Sequence, residues 1–129
     1  MMNIKALFVV HSIIALVFGV AFVLVPAQVA SIYGATVTSG GIFIGRMFGS
    51  SLLTFAAILW LARDSQDSAA RRALVLGFFI TFIIGAIVAA QGVLTGVVNA
   101  LGWGTVALYA VLALCYGYLY MRQTGPAEA

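Results

Sequence analysis

The stretch ALFVVHSIIALVFGVAFVLVP, residues 6–26, decides the fold class, because it holds no charge and only two polar side chains, His11 and Ser12. A hydrocarbon core about 30 Å thick is crossed by about 20 apolar residues in helical conformation, so this stretch has the length of a membrane span. Three more runs of the same kind follow it, and helices are expected at about 6–26, 41–62, 73–94 and 102–121. Lys5 before the first run and Ala27 and Ala30 after it imitate the flanks of a secretion signal. A signal's apolar region is usually about 7–15 residues long, however, so the longer run is read as a helix that stays in the membrane.

Composition leads to the same class. Of 129 residues 64% are hydrophobic and 7% charged, and the mean hydropathy is +1.19. Six Lys or Arg and three Asp or Glu cannot coat the outside of a soluble domain of this length, so the apolar surplus must face lipid. The expected fold is all-α: a four-transmembrane-helix bundle making one membrane domain over residues 1–129. The net charge of +3 does not point to nucleic acid, because the basic residues are scattered singly or in a pair and form no clustered stripe. The single cysteine, Cys115, excludes an internal disulfide and any multi-cysteine metal motif.

Charge placement predicts orientation. Lys5, Arg63, Arg71, Arg72 and Arg122 fall at the N-terminus, the second loop and the C-terminal tail, which four crossings put on one side. Basic residues flanking spans stay in the cytoplasm, so both termini are expected there. Trp60 with Tyr116, Tyr118 and Tyr120 near that boundary, and Tyr33 and Trp103 near the other, read as interfacial belts. Between the first two spans, Pro26 is expected to open a short helix bearing Val29, Ile32 and Tyr33 on one face and ending at Gly34. Asp67 or Ser68 is expected to cap the third span.

Within lipid no hydrophobic force draws helices together, so small residues that allow close backbone approach carry much of the joining. Gly41, Gly45 and Gly49 recur at four-residue spacing in the second span, and Ala73, Gly77, Thr81, Gly85 and Ala89 do so in the third. The candidate packing positions are therefore Gly41, Gly45, Gly49, Gly77 and Gly85. Ala15 and Gly19 give the first span a similar strip, as do Ala113 and Gly117 in the fourth. Such ridges serve either contacts within the chain or a seam with another chain.

Chemistry is sparse. The carboxylates Asp64, Asp67 and Glu128 all fall outside the spans, whereas proton-coupled transport usually relies on a membrane-embedded acid. There is no serine with a base and acid, no metal quartet, no phosphate loop and no paired carboxylates, so no enzyme activity and no cofactor are expected. The candidate polar positions are His11, Arg46, Gln91 and Asn99. His11 shares a strip with Ala15 and Gly19; alone it makes a poor metal or haem site, and a hydrogen bond to a neighbouring helix is the plainer role. Arg46 lies inside the second span, where it either snorkels to headgroups or meets an anion beside the helix start at Ser39, Gly40 and Gly41. Ser50 and Thr54 continue its stripe. Gln91 and Asn99 flank the turn after the third span, where they cap backbone groups or join Arg46 in an outer polar cluster. His11 and Arg46 belong to opposite membrane faces and are not expected to cooperate.

The chain carries ValProAlaGln at 25–28, SerIleTyrGly at 31–34, GlyArgMetPheGly at 45–49, a short charged loop and AsnAlaLeuGlyTrp at 99–103 before the last span, and the resemblance that this pattern carries covers most of the chain. In this the chain resembles small bacterial four-helix inner-membrane proteins to which no activity is assigned. The resemblance implies a multi-pass protein of the bacterial inner membrane and carries over no functional residues. The function expected is that of a non-enzymatic membrane protein acting through helix packing, as a homo-oligomer or as an accessory subunit of a larger membrane complex. The alternative is binding or transport of a lipid or of an amphiphilic or anionic small molecule, with Arg46 as its anchor and His11 facing a cavity. Membrane lipids are the expected surroundings in either case.

Overall fold

The computed structural model describes residues 3–123, and all the regular structure among them is helical. The helices are α1 (Ile4–Leu24), α2 (Pro26–Ile32), α3 (Ser39–Ala62), α4 (Ala69–Leu94) and α5 (Gly102–Gln123). All but the short α2 are long and apolar enough to cross a membrane. The chain divides between Asp64 and Ser65 into two compact units. In the first, α1 lies against α3; in the second, α4 lies against α5. Glu128 and the tail after Gln123 fall outside the described residues.

Local chemistry sets the helix ends, and it moves several of them from the expected positions. The Asn3 side chain accepts a hydrogen bond from the Ala6 amide at 2.7 Å, so α1 begins two residues early. It ends at Leu24, where the Val25 amide closes onto the Ala21 carbonyl at 2.8 Å and Pro26 takes the first position of α2. Helix α2 stops as expected at Gly34, which adopts φ 71°, a left-handed conformation open to glycine without penalty. Thr38 caps α3 through the Gly41 amide at 3.2 Å. Ser68, one of the two expected caps, accepts from the Arg71 amide at 3.2 Å. Helix α4 thus starts at Ala69, and Arg71 and Arg72 lie inside its first turn rather than in the loop.

In the first unit the two long helices run antiparallel. Lys5 near the start of α1 reaches Asp64 after the end of α3 at 2.7 Å. At the other end, Arg46 of α3 meets the Val23 carbonyl of α1. Between these points Gly19 and Gly49 bring the backbones together. A Cβ on Gly49 would lie 2.9 Å from both the Gly19 carbonyl oxygen and the Val23 nitrogen. Phe22 packs edge-on against Phe48 with ring centroids 5.1 Å apart.

The second unit is joined by rings set against glycines. Phe78 and Phe82 of α4 meet Tyr116 of α5 at centroid distances of 5.4 and 5.9 Å, and Phe82 also meets Tyr109 at 5.3 Å. A Cβ on Gly85 would strike the Tyr109 ring at 2.6 Å, and one on Gly117 would strike Phe79 at 2.8 Å. Tyr116 is fully buried, so it belongs to the core and not to the boundary belt expected of it. The reason is angular. Residues 116 and 120 share a helix face, but residue 118 lies about 200° around from 116, and Tyr118 is accordingly exposed.

Candidate functional site

The polar feature that the first unit builds most fully is centred on Arg46. Gly45 and Gly49 present no side chains to α1, so Phe22 and Pro26 settle against α3: a Cβ on Gly45 would be 3.3 Å from Pro26 Cβ, and one on Gly49 would be 2.8 Å from Phe22 Cβ. That approach brings the last turn of α1 within reach of the next residue of α3. Arg46 Nε donates to the Val23 carbonyl at 3.2 Å. The carbonyls of a final helical turn lack partners within the helix and carry its partial negative charge, so a guanidinium there satisfies both deficits. Arg46 is thus held sideways by the end of α1.

The stripe that continues from Arg46 is satisfied locally. Ser50 Oγ donates to the Met47 carbonyl at 2.8 Å, and Thr54 Oγ1 donates to the Ser50 carbonyl at 3.2 Å. These are back-bonds of hydroxyls onto their own helix. Around Arg46, Phe43, Ile44 and Met47 are more than half exposed and present an apolar surface.

His11 is buried at 3% exposure on α1, beside Ser12, whose hydroxyl donates to the Val9 carbonyl at 2.8 Å. The antiparallel pairing fixed by Lys5 with Asp64 and Val23 with Arg46 puts His11 opposite about residue 58 of α3. Along the helix axis that is ~18 Å from Arg46 at 1.5 Å per residue, so the structure does not bring these two groups together. Among the described residues no group of three His, Cys, Asp or Glu side chains gathers around a common point.

Gln91 and Asn99 lie in the second unit, around a turn in which Gly96 adopts φ 77°. The Gln91 carbonyl, not its side chain, accepts from the Thr95 amide at 2.9 Å and from the Thr95 hydroxyl at 2.7 Å. The Asn99 side chain accepts from the Leu101 amide at 3.0 Å, and its carbonyl accepts from Gly102 at 3.0 Å. Both residues therefore close the backbone of this turn.

The candidate glycines divide by environment. Gly45, Gly49 and Gly85 face a partner helix of their own unit, and Gly41 faces Val37 and Thr38 of its own capping loop. A Cβ on Gly77 would meet nothing within 4 Å. Four residues turn an α-helix by about 400°, so a ladder at that spacing drifts by about 40° per step, and Gly77 and Gly85 point about 80° apart. The seam of α4 follows alternating steps of three and four through Val75, Phe78, Phe82 and Gly85.

Basic groups at the far end of the first unit are paired at the surface. Lys5 holds Asp64, and Arg63 Nε lies 3.5 Å from the same carboxylate. The hydrogen bond from Lys5 holds the Asp64 carboxyl below its ordinary value against an opposing desolvation, with lesser help from the Lys5 and Arg63 charges. Arg63 also covers the Trp60 ring at 4.1 Å and donates to the Trp60 carbonyl. In the second unit Arg71 bonds the Ser65 carbonyl at 2.8 Å and lies 3.6 Å from Asp67.

Reading the sequence missed the Val23 carbonyl as the partner of Arg46. Its signal is present in the chain, because Pro26 marks where α1 must end and four-spaced glycines mark where α3 must come close. Compared with family models, with curated proteins and with solved structures, this chain matches none.

Proposed function

We propose that this is a multi-pass protein of the bacterial inner membrane, with both termini cytoplasmic, whose work is done by helix packing: it assembles as a homo-oligomer or as an accessory subunit of a larger membrane complex. Catalysis has no part in this reading. The observation that carries it is the contrast between glycines. Gly19, Gly49, Gly85 and Gly117 have a partner helix of their own unit where a side chain would stand. The strip of Ala73, Gly77 and Thr81 on α4 is exposed, and Gly77 has open space where its Cβ would be. In lipid, small residues at four-residue spacing let a second helix approach to backbone contact. Orientation rests on Lys5, Arg63, Arg71, Arg72 and Arg122, which alternate crossings collect on one side.

Disulfide trapping in native membranes tests the proposal. With Cys115 replaced by Ser, Gly77→Cys is expected to yield a covalent dimer or a cross-linked complex of fixed size under mild oxidation, while Ile83→Cys, exposed but about 120° around the helix, gives much less. Equal and weak trapping at both positions would count against α4 as the seam.

A further inference from the structure

We propose that Arg46 is a binding residue for a phosphodiester group, supplied by a lipid headgroup at the membrane boundary where α1 ends. The proposal rests on the membrane-spanning reading and not on self-association.

Depth comes first. The 21 residues of α1 span about 31 Å, which matches a hydrocarbon core of about 30 Å. Val23, next to the last residue of α1, therefore stands at the edge of that core. Arg46 is seven residues inside α3, a position from which a free arginine would have to stretch outward to reach headgroups. Its Nε is instead committed to the Val23 carbonyl, which fixes the guanidinium at the boundary and sets its orientation.

Charge comes second. The end of α1 offers about half a negative charge against the full positive charge of the guanidinium. Asp64, the carboxylate of the first unit, is engaged by Lys5 at the opposite end of the hairpin, about 27 Å away along α3 at 1.5 Å per residue. Among the described residues, the bond to Val23 is the one hydrogen bond or ion pair that Arg46 makes. Both Nη groups therefore remain as donors, and they form the fork that fits two oxygens of a phosphate. An uncompensated cation costs up to ~3 kcal/mol at the centre of the membrane and less at this boundary. The exposed apolar side chains of Met47 and Phe48, which follow Arg46 deeper into the membrane, suit acyl chains below such a headgroup and favour a lipid over free phosphate as its source.

The test is native mass spectrometry of the full chain in a phosphate-free maltoside detergent, titrated with short-chain phosphatidylglycerol or with inorganic phosphate. The wild type is expected to retain one phospholipid per chain, R46Q to bind it on the order of tenfold more weakly or worse, and R122Q to match the wild type. Retention of phosphatidylglycerol without inorganic phosphate supports a headgroup site, whereas equal retention of both overturns the lipid assignment. Equal lipid binding by R46Q and wild type overturns the site. Lipids are counted per chain, so the result does not depend on how many chains associate. Should R46Q not fold, the wild type decides by solid-state NMR in phosphatidylglycerol bilayers. The arginine Cζ signal that R46K removes is expected to be dephased by lipid phosphorus, and an undephased signal overturns the proposal.

Discussion

Gly19 of α1 and Gly49 of α3 cross with so little between them that a Cβ placed on Gly49 would stand 2.9 Å from the Gly19 carbonyl oxygen. The obstacle is backbone, which cannot swing aside as a flexible side chain does. The same closeness lets Phe22 and Pro26 settle on Gly45 and Gly49 and brings Val23 to Arg46.

Gly49→Leu is therefore expected to destabilise the first unit by about 1–3 kcal/mol or more, as overpacking does, and to detach Arg46 from Val23. Gly77→Leu is expected to leave the packing of its own unit undisturbed, since a Cβ there meets nothing within 4 Å, so any loss of stability in it is confined to conditions in which the chains associate. Unfolding of the purified variants in mixed micelles, followed by circular dichroism, measures both, and a Gly49→Leu protein as stable as the wild type would contradict the crossing.

Tyr116→Ala is expected to cost roughly 3 kcal/mol, because it empties the space shared with Phe78 and Phe82. Tyr118→Ala, two residues away on an exposed face, is expected to cost less than about 0.5 kcal/mol. The same unfolding assay compares them, and equal effects would place Tyr116 outside the core.

These two tyrosines also mark how far the sequence could be read. Lengths and apolar content of the long helices were legible because lipid thickness imposes them, and Ser68 and Gly34 were legible because caps and left-handed turns demand particular residues. Distance from the helix end groups Tyr116 with Tyr118, but angle around the helix separates them, and burial follows the angle. Gly77 was grouped with Gly85 by four-residue spacing, although the seam of α4 steps by three and four. Arg46 stands out in the sequence as a charge inside a span, but its partner is a backbone carbonyl, and a carbonyl leaves no mark in residue types. His11 shares the small-residue strip of Ala15 and Gly19, and all three are buried.

The Asp64 carboxyl is expected to titrate below the ordinary value of about 3.9, since Lys5 favours its charged form. A depressed native value contributes stability that is present above the unfolded value and is lost as pH falls through the native one. The contribution is thus expected to fade as pH falls below the ordinary carboxylate range, and because the pair is exposed it is small. Carbon-detected NMR of Asp64 in the wild type and in Lys5→Met measures it: the variant's value is expected to move back up, and an unmoved value would show that Lys5 is not the cause.

The central claim, association through the open strip of α4, is tested most directly by native mass spectrometry of the protein extracted gently from its own membranes, wild type beside Gly77→Leu. The account predicts a homo-oligomer or a stoichiometric complex for the wild type and its loss, with the fold intact, in Gly77→Leu. A wild type recovered as single chains with no protein partner, indistinguishable from the variant, would contradict it.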